Sequence, residues 1–327
     1  NKQRKNMNNF KKIGMTALAA SLVSTSVFAG ELTVSGSASL NVEAHSGTAL
    51  NEAKAYTMGN QITFSGSTDL ENGLNVAMSY VLDQGDDVSA GAVVASAKGP
   101  FDGHSITLTH DTLGTIKFSG EGGSSTASSI DTTAAGDMWD NFNSNGGTTV
   151  TDSGPGDNSF FYTAPEIVEG LGINLSYKPQ AIESATGYGL SYTGVEGLSV
   201  SYAQTDINTG TASTDGDQQA WKVSYTYGPV TATASNTEVD IDGTASDQET
   251  ASMAVSYLVT PDISVTYGTE DIKVPGSVDA NFEGIKASYT QGGMTVSANR
   301  QDGKDIGNAT GVANQVEYWG LGLSFAF

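Results

Sequence analysis

The feature that most limits the fold of this chain is a hydrophobic alternation with a period of two residues, which recurs from Glu31 onward. In the segment 32–43, Leu, Val, Gly and Ala alternate with Thr, Ser, Asn and Glu, and similar patterns appear at 221–227 and 319–327. Such alternation is typical of β-strands with one apolar and one polar face. Beyond the first 29 residues no segment has a helical period, so the sequence predicts an all-β protein.

Sixteen alternating segments can be counted. They lie at about 31–43, 58–69, 73–83, 103–111, 114–121, 158–164, 170–179, 186–194, 197–206, 217–227, 229–239, 248–259, 262–272, 281–290, 293–301 and 315–327.

The connections between these segments alternate strictly in length. Short turns such as Gly228-Pro229 and Gln291-Gly292-Gly293 follow the even-numbered segments, and longer links rich in Asp and Gly follow the odd-numbered ones. Short turns on one side, long loops on the other and an even number of strands are the pattern of an outer-membrane β-barrel. The sequence therefore predicts a 16-stranded antiparallel transmembrane β-barrel that closes at its C-terminal residue, Phe327.

Tyrosines distinguish a membrane barrel from a secreted β-sandwich or β-solenoid. Eight of them share the parity of the apolar face, mostly near strand ends, where membrane barrels carry aromatic girdles. These are Tyr80, Tyr177, Tyr192, Tyr225, Tyr227, Tyr257, Tyr267 and Tyr289. A sandwich core is filled by large apolar side chains, whereas the opposite face here is small and polar. Sixteen strands also enclose enough space for an aqueous channel.

The N-terminal segment indicates where the protein is sent, and the net charge of the remaining chain limits which partners it can bind. Residues 1–29 combine basic residues, a short apolar stretch and a small-residue cleavage site at Val27-Phe28-Ala29, which predicts a secretory signal peptide followed by a barrel over 30–327. Without that segment the chain has nine basic and 36 acidic residues, a net charge of −27. Such a charge disfavours nucleic acid as a partner. The chain has no cysteine, so it is not a disulfide-stabilised miniprotein.

The chain resembles the general porins of Gram-negative bacteria, in particular the alphaproteobacterial ones. The resemblance covers the whole predicted barrel. It is carried by the opening 30–36 (GELTVSG), the fifth-strand segment 113–120 (LGTIKFSG), the segment 157–165 (DNSFFYTAP) and the closing 323–327 (LSFAF). It implies a homotrimer in the outer membrane, in contact with lipid and lipopolysaccharide, that passes small hydrophilic solutes and ions. It also implies that the third long loop, about 122–157, folds into the barrel and constricts it.

Porins set their selectivity by acidic groups on this loop that face basic groups on the barrel wall. If this sequence follows the porin pattern, the acidic residues of the loop are Asp131, Asp137 and Asp140. The wall residues with lumen parity are Lys117, Lys178, Lys222 and Lys286. The arginine cluster of many family members is missing, because Arg300 is the only arginine after residue 29. With so few cations, we expect an acidic lumen that prefers cations.

Other interpretations remain open at this stage. The loop acids could hold the loop by binding backbone amides rather than line the pore, and acidic loops could bind Ca²⁺, the one ion expected in an otherwise cofactor-free chain. Three histidines without a catalytic motif argue against an enzyme. The alternatives to a general porin are a substrate-specific channel, which would need lumen aromatics or a ladder of Lys and Arg, and a structural or adhesive barrel with a plugged interior.

Overall fold

The computed structural model describes residues 32–46, 54–83, 102–145, 157–179, 184–208, 215–242, 247–311 and 314–327, and these form a closed barrel of sixteen antiparallel strands. Each strand pairs with its neighbours in sequence, and β1 pairs with β16. The predicted fold is therefore confirmed. The expected signal peptide, residues 1–29, lies outside the described residues.

The strands have the following bounds. The first eight are β1 (Leu32–Ser46), β2 (Lys54–Asp69), β3 (Asn75–Asp83), β4 (Gly103–His110), β5 (Gly114–Glu121), β6 (Ser159–Thr163), β7 (Leu171–Lys178) and β8 (Ser184–Tyr192). The second eight are β9 (Leu198–Asn208), β10 (Gly216–Tyr227), β11 (Val230–Ile241), β12 (Gln248–Thr260), β13 (Ile263–Lys273), β14 (Ala280–Gln291), β15 (Met294–Lys304) and β16 (Val316–Ala326).

Several strands extend further toward the long loops than the alternation predicts. β2 begins at Lys54 instead of residue 58, and β15 continues to Lys304 instead of residue 301. On the extension of β15 the outward positions are polar, Arg300, Asp302 and Lys304, whereas the extension of β2 includes the outward Tyr56. On β15 the hydrophobic pattern therefore stops at the edge of the apolar band, whereas the backbone ladder continues beyond it.

The barrel closes through the last strand and the C-terminal residue. Leu40 and Leu323 are direct partners in the β1–β16 ladder. The Phe327 amide donates to the Gly36 carbonyl (3.0 Å), and the Gly36 amide donates to the Phe327 carbonyl (2.7 Å). The Phe327 ring lies on Gly36, where a Cβ would come within 2.6 Å of it. Closure leaves no open sheet edge, as a strand-built membrane protein requires.

The outer face of the barrel is apolar and exposed. Met253 is 67% exposed and Val255 51%, although a water-soluble protein rarely leaves a large contiguous apolar surface uncovered. The eight tyrosines predicted for the girdles all have outward parity, and Tyr188, Tyr202, Trp221 and Trp319 join them. Within the described residues, no helix has the length and hydropathy needed to span a bilayer.

The wall is uneven in height. The strands β4, β5, β6 and β7 have 8, 8, 5 and 8 residues, whereas β10, β11, β12 and β14 have 12, 12, 13 and 12. A transmembrane β-strand needs about 9–11 residues to cross the hydrocarbon. The sector around β4–β7 is therefore shorter than a bilayer requires.

We expect Ala232→Lys to destabilise the barrel by about 2–4 kcal/mol, because it places a charge on the lipid face. Ala232 is exposed and lies between Tyr225 and Val255. Thr233→Lys is the matched control, since the neighbouring residue points into the lumen and should cost far less. Urea unfolding in lipid vesicles, followed by tryptophan fluorescence, measures both. Equal destabilisation of the two variants would contradict the assigned faces.

Candidate functional site: the loop inside the barrel

The third long connection, between β5 and β6, lies against the inner wall. Residues 122–145 of the predicted loop 122–157 are described and are called the inner loop below; residues 146–156 lie outside the described residues. The inner loop follows the wall from β7 to β16 and then contacts β1. Three sets of contacts fix it, at its first turn, in its middle and at its tip.

The first turn of the inner loop is bound by hydroxyl groups of the wall. The amide of Thr126 donates to Ser176 Oγ (3.0 Å), and the amide of Ala127 donates to Thr205 Oγ1 (3.2 Å). The Thr126 hydroxyl donates to the Gln204 carbonyl (3.0 Å). Thr126, Ala127 and Thr205 are essentially buried, so the buried backbone amides of this turn find partners in the strands.

The middle of the inner loop repeats this arrangement further along the wall. The amide of Ala134 donates to Ser235 Oγ (2.7 Å), and the amide of Ala135 donates to Ser252 Oγ (2.9 Å). From the opposite direction, Lys222 Nζ donates to the carbonyl of Thr132 (2.8 Å). The small hydroxyl residues that alternate along the lumen face therefore serve as hydrogen-bond partners for the loop.

Glycines let the loop approach the wall closely. A Cβ on Gly268 would come within 2.7 Å of the Ala135 side chain, and a Cβ on Gly284 within 3.0 Å of Met138 Sδ. Cβ atoms essentially never come closer than 3.0 Å to other heavy atoms. The absence of side chains at these two lumen positions therefore sets the path of the loop.

One carboxylate on the wall holds the loop most firmly. Glu270, on β13, is completely buried beneath the inner loop. Its Oε2 accepts from the Thr133 hydroxyl (2.6 Å), its Oε1 accepts from the Trp139 amide (3.1 Å), and the Met138 amide also donates to it. Burial of a carboxylate is costly unless donors replace water, and here the inner loop supplies three.

The tip of the inner loop is a short 3₁₀ helix, Met138–Asn145, that is anchored by an aromatic side chain. Phe142 is fully buried; its ring centroid lies 5.2 Å from that of Phe282 and 6.1 Å from that of Tyr318. His45 Nε2 donates to the Asn141 carbonyl (2.7 Å). Met138, Ile272, Ala280, Ile306 and Val316 complete this cluster. The tip is therefore packed on β13–β16 and β1.

The three predicted loop acids have different environments. Asp137 Oδ1 accepts from the Thr133 amide (2.8 Å), and the Asp137 amide donates to Thr133 Oγ1 (2.7 Å), so this residue stabilises a loop turn. Asp131 Oδ2 accepts from the side-chain Nε2 of Gln218 (3.4 Å). Asp140, on the 3₁₀ helix, is exposed. Holding the loop is thus the better supported interpretation for Asp137.

A cavity of about 790 Å³ lies between the inner loop and the wall. It brings together Asp137 and Asp140 of the loop with Lys222 and Lys286 of the wall, and it adds Glu43, which we did not predict. Lys117 and Lys178 also have lumen parity, but they and Asp131 do not line this cavity. Only part of the predicted set is therefore in one place.

On β9–β16, most of the acidic residues lie on the outer face, whereas Glu43, Asp69 and Asp83 on β1–β3 have lumen parity. Nine of the ten carboxylates on β9–β16 have outward parity and lie toward the long loops: Asp206, Asp217, Glu238, Asp240, Glu249, Asp271, Glu283, Asp302 and Glu317. Only Glu270 points inward, and it is buried. Arg300 also points outward, with Glu317 Oε2 at 3.4 Å and Asp302 Oδ1 at 3.9 Å. Net charge is therefore a poor guide to the charge of the lumen.

Within the part of the chain that the structure describes, no three His, Asp or Glu side chains are grouped so that they could hold a metal ion. Binding of Ca²⁺ by the acidic loops stays a prediction, because parts of those loops lie outside the described residues.

Sequence reasoning missed Glu270 and Glu43 although both were visible. Each is an acid on the polar face of its strand, where Glu270 follows Gly268 and Glu43 follows Asn41 at the same parity. A carboxylate with lumen parity is a signal in itself, because the lumen face is otherwise small and uncharged over long stretches. Phe142 gave no signal, since it lies in a loop without periodicity.

We expect Glu270→Gln to loosen the inner loop while the barrel stays folded. The amide nitrogen that replaces one oxygen cannot accept from the loop, so at least one of the three donors loses its partner. The expected result is faster proteolytic cleavage within 122–145 and greater open-state current noise in planar bilayers. Glu283→Gln removes the same charge from the outer face and should change neither. Unchanged cleavage and noise in Glu270→Gln would contradict the role assigned to this carboxylate.

Comparisons with known proteins agree with this geometry. A family model described as Gram-negative porin matches residues 14–327. No curated protein matches the chain. An anion-selective porin from Comamonas acidovorans has a similar structure, with a TM-score of 0.68, 17% identity, and coverage of 91% of this chain and 100% of that one. A triple mutant of the Rhodopseudomonas blastica porin has a TM-score of 0.65, 15% identity and the same coverage.

The family match covers nearly the whole chain, and the structural matches share the closed barrel. The chain therefore belongs to the Gram-negative porin family and is a barrel of the bacterial outer membrane.

Proposed function

We propose that this porin is a passive diffusion channel for small hydrophilic solutes and ions, with a modest preference for cations, and that it works as a homotrimer in contact with lipid and lipopolysaccharide. The observation that carries the proposal is the inner loop, which is bound to the wall at three places and leaves a polar cavity beside it. A loop that is fixed in this way narrows the lumen, and beside the described part of the loop space remains.

The lumen face supports general diffusion rather than recognition of one substrate. On the described strands, the aromatic residues with lumen parity are Phe161, Phe282 and Tyr318. They lie on β6, β14 and β16, and Phe282 is buried beneath the loop. They therefore form no continuous track for a sugar. Lys117, Lys178, Lys222 and Lys286 lie on four separate strands and form no ladder for phosphate.

Ion preference must come from the lumen side chains, because the fold does not determine it. The Comamonas acidovorans porin has the same architecture and is described as anion-selective. Here Glu43, Asp137 and Asp140 line the cavity together with Lys222 and Lys286, and Lys222 donates to a loop carbonyl. Three carboxylates against two ammonium groups favour cations in a narrow space. Because the excess is small, we expect the preference to be modest.

Single-channel recording in planar bilayers across a KCl gradient tests this function. We expect large, nearly ohmic steps and a zero-current potential of the sign that indicates cation preference. Asp140→Asn should lower the cation-to-anion permeability ratio by about twofold, since it removes an exposed charge from the cavity, and Lys286→Met should raise it.

Asp279→Asn removes a charge from the exposed 274–279 connection and serves as the control. A correctly folded barrel without conductance would refute the channel and favour a structural or adhesive barrel. Saturation of the current by one solute at low concentration would favour a substrate-specific channel.

The outer wall of β3–β6 supports the trimer. A groove of about 420 Å³ between β3 and β6 is lined by Met78, Tyr80, Ile106, Phe118 and Phe160, among others. Three of these strands, β4, β5 and β6, have only 8, 8 and 5 residues and are too short to span the hydrocarbon. An apolar surface on too short a wall suits protein better than lipid, and we assign a second copy of this chain to it.

Site-specific photocrosslinking tests the trimer and its contact face. The chain has no cysteine, so Ile106→Cys can be labelled with benzophenone maleimide. We expect crosslinked dimers and trimers from position 106 and none from Val255→Cys, which lies on the outer face of β12. Crosslinking from position 255 but not from position 106 would place the subunit contact at β12 and contradict the assigned face. Absence of crosslinking from both positions would argue against an oligomer.

A further inference from the structure

Glu43 lies on the barrel wall in a row of lumen residues that crosses four strands. Lys286 of β14 pairs with Asn299 of β15, Asn299 with Gly320 of β16, and Gly320 with Glu43 of β1. All four line the cavity beside the inner loop. Glu43 is therefore separated by two intervening strands from the ammonium group in its own row, and it shares the cavity with the loop acids.

The Glu43 carboxylate is held by side chains of the wall, and one of these, Tyr318, packs in turn against Phe142 of the inner loop. The Tyr318 hydroxyl donates to Glu43 Oε2 (3.3 Å), and the Asn299 side chain hydrogen-bonds the same hydroxyl. Tyr318 is nearly buried in the cluster around Phe142, so its ring has little freedom. Gly320 makes room for this arrangement, because a Cβ there would lie 2.7 Å from the Tyr318 hydroxyl oxygen.

The loop acids Asp137 and Asp140 are less well placed than Glu43 to provide a fixed negative charge on the barrel wall. Asp137 is engaged in the turn with Thr133, and Asp140 belongs to the loop itself. Glu43 lies on the strand β1, so the position of its backbone is set by the barrel ladder and not by the loop. Negative charge consequently lies on two sides of the cavity, on the loop and on β1.

We propose that Glu43 is a selectivity-determining residue of this channel, held in place by Tyr318 and set against Lys286 in the same row. It raises the local concentration of cations at the narrow part of the lumen, as fixed carboxylates do in other pores. The proposal rests on the proposed channel function and names a wall residue as a main source of its ion preference.

The test is the zero-current potential of wild type, Glu43→Gln and Glu238→Gln in planar bilayers, at mean KCl concentrations of about 0.1 M and about 1 M. Glu238 has outward parity on β11 and is exposed, so its replacement removes the same charge from the outer surface. We expect Glu43→Gln to lower the cation-to-anion permeability ratio about two- to threefold at ~0.1 M. At ~1 M the effect should be smaller but present, whereas surface charge is screened within roughly 3 Å.

The variant Tyr318→Phe distinguishes the effect of the Glu43 charge from the effect of its fixed position. It keeps the ring that packs on Phe142 and the Glu43 charge, but it removes the hydroxyl that holds the carboxylate. We expect a smaller fall in the permeability ratio than in Glu43→Gln and a similar single-channel conductance. Heat-modifiable migration in gels shows that each variant is folded.

The outcomes separate this proposal from the channel function. If folded wild type forms no channel, both fail. If channels form but the permeability ratio of Glu43→Gln equals that of wild type, or falls only as much as in Glu238→Gln, the role of Glu43 is refuted and the channel function stands. A fall confined to Glu43→Gln that persists at high salt supports it.

Discussion

The structure depends on one constraint: no backbone amide or carbonyl may face lipid without a partner. Lipid offers no hydrogen bonds, so each strand must pair on both edges, and β16 must return to β1. The backbone hydrogen bonds between Gly36 and Phe327 extend the β1–β16 ladder to residue 327. Closure in turn sets the alternation, because each strand then has one face toward lipid and one toward the lumen. The lumen is thus a consequence of satisfying the backbone rather than a separately built feature.

The inner loop faces the same constraint within the barrel. Its buried amides are satisfied by Ser and Thr hydroxyls that rise from the wall, and by the carboxylate of Glu270, which accepts from three loop donors. Glycines at 268 and 284 leave space for the loop backbone and side chains. The composition of the lumen face, small and polar with few charges, therefore has two explanations at once. It faces water where the lumen is open, and it serves as the binding surface for the loop where it is not.

The sequence predicted the architecture well because a period of two and the alternating loop lengths are local signals. Sixteen strands, their order and the outward tyrosines follow from them, and β15 extends beyond its prediction where polar outward residues hide the continuing ladder. The site was predicted less well, since it depends on contacts between distant segments. Lys222 and Lys286 have the parity that the alternation indicates, but nothing local shows that Asp137 is used to form a turn or that Glu270 lies beneath the loop. The acidic lumen was inferred from net charge, which does not record which face a carboxylate occupies.

Because most carboxylates of β9–β16 lie on the outer face, the charge of the outer surface and the charge of the lumen can change separately. Adjacent residues of one strand point to opposite sides of the wall, as Glu238 and Val239 do on β11. Charges on the outer surface influence others only within a Debye length of about 8–10 Å in physiological salt. Outer carboxylates that lie further than a Debye length from the cavity can therefore be gained or lost while the potential in that cavity stays nearly the same. The charge pattern of the outer face and that of the lumen face thus occupy alternate residues of the same strands.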